Sequence, residues 1–149
     1  MNKPSFVYVT YIRTTPERVW DAITDPKMAG QYWGGGCHAN ISDWKVGSKW
    51  EHQRTDGSNV VDVTGTVIES ARPQRLVISW ASPSEAADPE KTSRVVFEIE
   101  PHKDDFVRLT VTHSELEPDS EMLRGISHGW PLVLSSLKSF LETGKVVPK

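Results

Sequence analysis

Ile126-Ser127-His128-Gly129-Trp130-Pro131-Leu132-Val133-Leu134-Ser135-Ser136-Leu137-Lys138-Ser139-Phe140-Leu141 is the stretch on which the fold turns. Ile126, Trp130, Val133, Leu134, Leu137, Phe140 and Leu141 recur at steps of three and four, which makes one apolar stripe on an α-helix. Ser135, Ser136, Lys138, Ser139 and Glu142 fall on the other side, and Gly144 supplies a stop, because glycine takes up the left-handed cap conformation at little cost. Pro131 has no N–H, so a kink or a first turn is expected there, with an earlier turn from about Asp119 set apart from the long helix. A long one-sided helix needs a sheet to lie on.

The upstream sequence supplies that sheet. Phe6–Ile12 is rich in β-branched and aromatic residues and reads as a strand; bulk on both pleat faces predicts that both are covered. Thr15-Pro16-Glu17 opens a helix with Thr15 as its cap and Val19, Trp20 and Ile23 inward; Asp25 caps a second short helix from Pro26 to about Tyr32. Gly34-Gly35-Gly36 is a loop; with no Lys-Ser/Thr pair after it, it is not a phosphate-binding loop. Strands are then expected at His38–Ile41, Lys49–Gln53, Asn59–Ser70, Arg75–Trp80, Thr92–Pro101 and Phe106–His113, with Ala81–Glu90 as a loose loop. Gly65 inside the longest of these predicts a bulge or sharp bend. The order is β, two helices, six strands, helix. The expectation is an α+β fold in which a curved antiparallel sheet grips the long C-terminal helix, over a single domain spanning residues 1–149.

Composition limits what such a fold can do. A chain of 149 residues can bury roughly 70% of its unfolded surface, so it needs no disulfides. The single cysteine, Cys37, can form no intrachain pair, which suits a reducing cytoplasm. No apolar run approaches the ~20 residues of a membrane span, and Met1-Asn2-Lys3-Pro4 lacks a signal-peptide core. The 17 basic and 20 acidic residues are interspersed, which argues against nucleic acid as partner. His38, His52, His102, His113 and His128 have no ligand spacing, so no metal is expected, and nothing in the sequence calls for a cofactor. No elbow frames a serine, and no catalytic residue is assigned. Six tryptophans are many for this length; they fill cores or line apolar ligand pockets.

Several segments together carry a family resemblance. They are Thr15 to Pro26, Tyr32-Trp33, Val46 to Trp50, Pro73 to Trp80, Leu109 to His113, and Gly129-Trp130. In this order, across nearly the whole chain, they resemble the helix-grip fold of the START, polyketide-cyclase and birch-pollen-allergen-like superfamily. Within it they look most like domains homologous to the activator of the ninety-kilodalton heat-shock-protein ATPase. The resemblance implies one cavity between sheet and helix, used in relatives for lipids, polyketides, hormones or other apolar molecules. It brings no shared catalytic motif.

Face patterns nominate the lining. Trp50 and His52 share a strand face, Trp80 follows Leu76 and Ile78, Phe97 lies between Val95 and Ile99, and His113 ends the face of Val107, Leu109 and Val111. Trp130 and Leu134 come from the long helix, and Trp33 stands before the glycines as a lid or a plug. The leading expectation is a cytoplasmic protein that binds a small apolar or aromatic molecule through Trp33, Trp50, His52, Trp80, Phe97, His113, Trp130 and Leu134. Each of these could instead be plain core. Two other functions stay open: a cyclase- or hydrolase-like enzyme using His52 or His113 as acid–base, and a chaperone-linked interaction protein. A homodimer is possible through a strand edge or helix face.

Overall fold

The computed structural model describes residues 3–148; Met1, Asn2 and Lys149 of the expected 1–149 domain lie outside the described residues. Seven strands form one sheet: β1 Phe6–Arg13, β2 His38–Ile41, β3 Lys49–Arg54, β4 Val61–Ala71, β5 Arg75–Trp80, β6 Ser93–His102 and β7 Phe106–Ser114. The helices are α1 Pro16–Thr24, α2 Pro26–Tyr32 and α3 Glu121–Thr143. The sheet order is β1-β7-β6-β5-β4-β3-β2, with every neighbouring pair antiparallel. Because β1 and β2 occupy opposite edges, α1 and α2 carry the chain from one edge to the other.

Local chemistry starts both short helices as expected. The Thr15 hydroxyl accepts from the Arg18 N–H at 3.3 Å, and the Asp25 carboxylate accepts from the Lys27 N–H at 2.9 Å. The sheet curves where its register slips, at His52/Gln53 in β3 and between Val67 and Glu69 in β4. Gly65 has a different task from the expected bulge. A Cβ there would stand 1.9 Å from the Ser79 carbonyl oxygen and 2.7 Å from the Trp50 indole nitrogen. Its bare backbone lets the Trp50 N–H reach that same carbonyl, at 2.7 Å.

The concave face carries the alternating residues Leu76, Ile78 and Trp80, then Val95, Phe97 and Ile99, then Val107, Leu109, Val111 and His113, all buried. The α3 stripe, from Ile126 through Trp130, Val133, Leu134 and Leu137 to Leu141, fills this hollow. Three expectations need correcting. First, α3 is continuous: the Ser120 hydroxyl caps it by accepting from the Leu123 N–H, and the helix runs through Pro131 to Gly144 at φ 79°. Packing of Trp130, Val133 and Leu134 against the sheet outweighs the one hydrogen bond that proline removes. Second, Ser136 is buried, because the chain after α3 folds back and the Val147 N–H donates to its hydroxyl at 3.1 Å. Third, β1 is covered on one face only. Val7, Val9 and Tyr11 are exposed, because β1 is an edge strand and no second layer among the described residues lies over the convex side. The Ala81–Glu90 segment contains a short 3-10 turn, and a second follows at Pro89–Lys91. No helix among the described residues is long and apolar enough to cross a membrane.

Candidate functional site

The eight predicted lining residues are delivered by six parts of the frame. Trp33 follows α2 and is held inward by a left-handed turn in which Gly34, Gly35 and Gly36 have φ of 60°, 72° and 91°. Trp50 and His52 come from β3, Trp80 from the end of β5, Phe97 from β6, His113 from β7, and Trp130 and Leu134 from α3. The structure brings all eight into one buried region. Trp80 is its hub, with ring centroids 5.3 Å from Trp50, 6.3 Å from His52, 5.3 Å from His113 and 5.6 Å from Trp130. Trp33 closes the group at 5.3 Å from His52 and 5.7 Å from Trp130, in edge-on contacts that aromatic quadrupoles favour.

The cluster is packed at its back and open at its front. An apolar pocket of about 140 Å³ is lined by Trp33 and Trp80 and by Gly125, Ile126, Gly129, Trp130 and Val133 of α3. Three of the eight predicted residues reach it; Trp50, His52, Phe97, His113 and Leu134 do not border it. The two glycines were missed. Their spacing of four residues inside a helical pattern was the available signal. A polar depression of about 270 Å³ lies alongside, with Met122 in its wall and Glu85, Lys91, Glu115, Glu117 and Glu121 around it. Its charged rim does not suit an apolar molecule.

His113 is fully buried, and both of its ring nitrogens are occupied. The Trp130 N–H donates to Nδ1 at 3.0 Å, so Nε2 carries the proton and donates to the Ser93 hydroxyl at 2.7 Å. Ser93 in turn donates to the Trp80 carbonyl at 3.1 Å. The network thus runs one way from Trp130 to the backbone. Although Ser93 and His113 lie at the separation of a catalytic pair, the proton on Nε2 leaves the imidazole no lone pair with which to take one from the serine. Burial pushes the His113 imidazole down to about 3, so it is neutral at pH 7.

His52 is held differently. The Asn40 side-chain N–H donates to the Ile23 carbonyl at 2.9 Å, which turns its amide oxygen toward His52. His52 Nδ1 therefore donates to that oxygen at 2.8 Å, and Nε2 keeps a free lone pair with no partner among the described residues. The His38 ring stacks on it at 4.5 Å and 6°. Burial, then the neighbouring His38, push His52 down to about 3 as well. His38 itself faces Asp62 at 2.8 Å, and the Arg54 fork donates twice to that carboxylate, holding it down to about 2. Asp62 is thus the centre of a half-buried cluster with Arg54 and His38. His38, Asn40 and Asp62 were missed because their partners lie on other elements.

Trp80 borders the pocket and carries an indole N–H with a weak partner. Its indole N–H has only the Met122 thioether as acceptor, at 3.2 Å. The Trp33 indole makes no hydrogen bond among the described residues, and no fully buried side-chain nitrogen there is left unpaired, so its N–H opens onto accessible space. No group of three or more metal-ligating side chains gathers among the described residues.

Comparison with known proteins places this frame. The crystal structure of PFC0360w, an HSP90 activator from Plasmodium falciparum, is 22% identical, with 92% of this chain and 95% of that one covered at a TM-score of 0.74. The Aha1 dimer from Colwellia psychrerythraea is 20% identical, with coverage of 95% and 98% and a TM-score of 0.72. CalU16 from Micromonospora echinospora is 20% identical, with coverage of 98% and 78% and a TM-score of 0.72. At these identities the likeness is one of fold. No curated protein matches the chain. The family model described as Activator of Hsp90 ATPase homolog 1-like protein matches residues 13–142, from the end of β1 to the end of α3, and the chain belongs to that family.

Proposed function

We propose that this protein binds a small, largely apolar or aromatic molecule between the sheet and α3. The observation that carries the reading is the apolar pocket of about 140 Å³ walled by Trp33, Trp80 and Trp130. Its volume is close to that of the ~150 Å³ apolar cavity known to admit benzene, and well above the ~30 Å³ share of one water. A molecule of drug size needs roughly 300 Å³ or more, so a larger ligand requires displaced side chains. Acid–base catalysis by His52 or His113 finds less support: both rings are neutral and weakly basic, and neither has a carboxylate partner. The test is native mass spectrometry of the purified protein before and after organic extraction, followed by titration with one- and two-ring aromatics read through tryptophan emission. A retained small molecule, or saturable quenching, supports the reading. Extractable mass and quenching both absent at millimolar aromatic would sink it.

A second reading, self-association, rests on β1. This edge strand exposes Val7, Val9 and Tyr11. α3 takes the Tyr11 carbonyl with Lys138 and the Arg13 N–H with Glu142, while the stretch from Val7 to Val9 has no such cover among the described residues. An uncovered edge is a template for strand pairing, and the Colwellia relative is a dimer. Sedimentation of the wild type and of Val9→Lys decides it: a dimer that the lysine converts to monomer supports pairing through β1. A wild type that stays monomeric at high concentration, or a dimer indifferent to the lysine, removes it.

A further inference from the structure

We infer that the occupant of the tryptophan pocket is a flat aromatic molecule carrying a hydrogen-bond acceptor, and that Gly125 and Gly129 keep its slot open; the inference rests on the ligand-binding reading above.

Glycine is among the poorest helix formers. It is usually excused inside a helix by a close approach of another chain or by a backbone angle that other residues resist. Neither excuse applies here. A Cβ built on Gly125 or Gly129 meets no heavy atom within 4 Å. Neither residue has a positive φ. Gly65 provides the contrast, since a Cβ there would collide with backbone. Gly125 and Gly129 lie one turn apart in α3 and border the pocket together with Trp33, Trp80 and their helix neighbour Trp130. Alanine at either position would favour the helix and put a methyl group at the pocket's edge. The helix is therefore weaker than it needs to be at the two positions that keep this space free.

The walls specify the occupant. Three indole rings, with Ile126, Val133 and the bare backbone of Gly125 and Gly129, wall a space suited to a flat ring. The lining contains no charged side chain. Stacked tryptophans can also cage an organic cation, but here the polar edge is made of N–H donors, which repel one. Trp80 is 6% exposed and its N–H rests on the Met122 sulfur, a weak acceptor on a flexible side chain. A carbonyl or ether oxygen of the occupant is the better partner. Met122 lines the polar depression and touches Trp80, so a longer occupant that displaces it gains room there for a polar tail.

Acetophenone and ethylbenzene have nearly the same shape and differ in the acceptor, which makes them suitable probes; choline represents the cation. Binding is read on the full chain through tryptophan emission and the indole N–H resonances. Wild type is expected to bind acetophenone at least tenfold more tightly than ethylbenzene, with the Trp80 indole resonance shifting. Gly125→Ala and Gly129→Ala are expected to melt a few degrees higher and to bind acetophenone at least tenfold more weakly. Trp80→Phe keeps a ring in place and should abolish the preference for acetophenone. Glycine variants that bind as well as wild type overturn the open slot while leaving the ligand-binding reading intact. Equal binding of the two probes, or displacement of acetophenone by choline, overturns the acceptor. A wild type that binds neither aromatic overturns the ligand-binding reading itself.

Discussion

His113 illustrates how one residue can be placed by pattern and still have its role set elsewhere. Its position at the end of the Val107, Leu109 and Val111 face was legible from strand alternation. Its partners were not, since Ser93 lies 20 residues away in sequence and Trp130 lies 17 away. His113→Leu leaves the Trp130 N–H and the Ser93 hydroxyl short of partners in the core. We expect a loss of about 2–4 kcal/mol in urea unfolding, with His113→Gln recovering part of it through an amide oxygen facing Trp130. Gly65 is a second residue whose presence, but not purpose, could be read. Gly65→Ala must displace Ser79 or Trp50, because its Cβ would lie 1.9 Å from a carbonyl oxygen. A loss of about 2–4 kcal/mol is expected, with a change in the near-ultraviolet dichroism of Trp50. Unchanged stability would mean that β4 yields there.

At the scale of elements, α3 was the most legible part of the chain, and its apolar stripe is buried from Ile126 to Leu141 apart from Phe140, which is half-buried. Its start was misjudged because a proline inside a helix reads as a boundary, whereas tertiary packing here overrides that local preference. Pro131→Ala restores a helix donor without adding bulk and is expected to raise stability by about 1–3 kcal/mol, measured as a higher urea midpoint at unchanged slope. A fall in stability would show that the pyrrolidine ring packs usefully where it stands. β1 presents the opposite case. Its residues were read correctly as a strand, but cover on both faces did not follow. Strand propensity carries no information about whether a strand ends up central or at an edge.

The whole molecule responds to pH through its two buried imidazoles. His52 and His113 titrate near 3 in the folded chain, below the ordinary value of 6.5. The unfolded chain therefore binds more protons than the folded one between these limits. The stability contributed by the two neutral rings is fully present above pH 6.5 and is lost as pH falls toward 3. Each ring can remove up to about 1.4 kcal/mol per pH unit within this window. Asp62 and Glu51 stay ionised through its upper part, because Arg54 and Lys49 hold their carboxyls low. Urea unfolding between about pH 4.5 and 6.5 should therefore show falling stability, with a shallower slope in His52→Gln or His113→Gln. A flat profile would indicate that the rings become hydrated without unfolding.

What depends on neighbours along the chain is written in the order of its residues. The period of the α3 stripe, the caps at Thr15 and Asp25, the strand alternation and the ordered family segments together specified an α+β helix grip and nominated eight residues that do share one buried region. These features repeat every two or three to four residues, so a linear reading detects them. Which of the eight face open space follows from the packed fold, and that packing is three-dimensional. It also decided that His113 is locked by Trp130 and Ser93, that Asn40 orients His52, and that Gly125 and Gly129 border a pocket. Those facts depend on which strand lies beside which and on what a side chain meets across the grip. Contacts between residues far apart in sequence leave no period in the chain, and such contacts make the site.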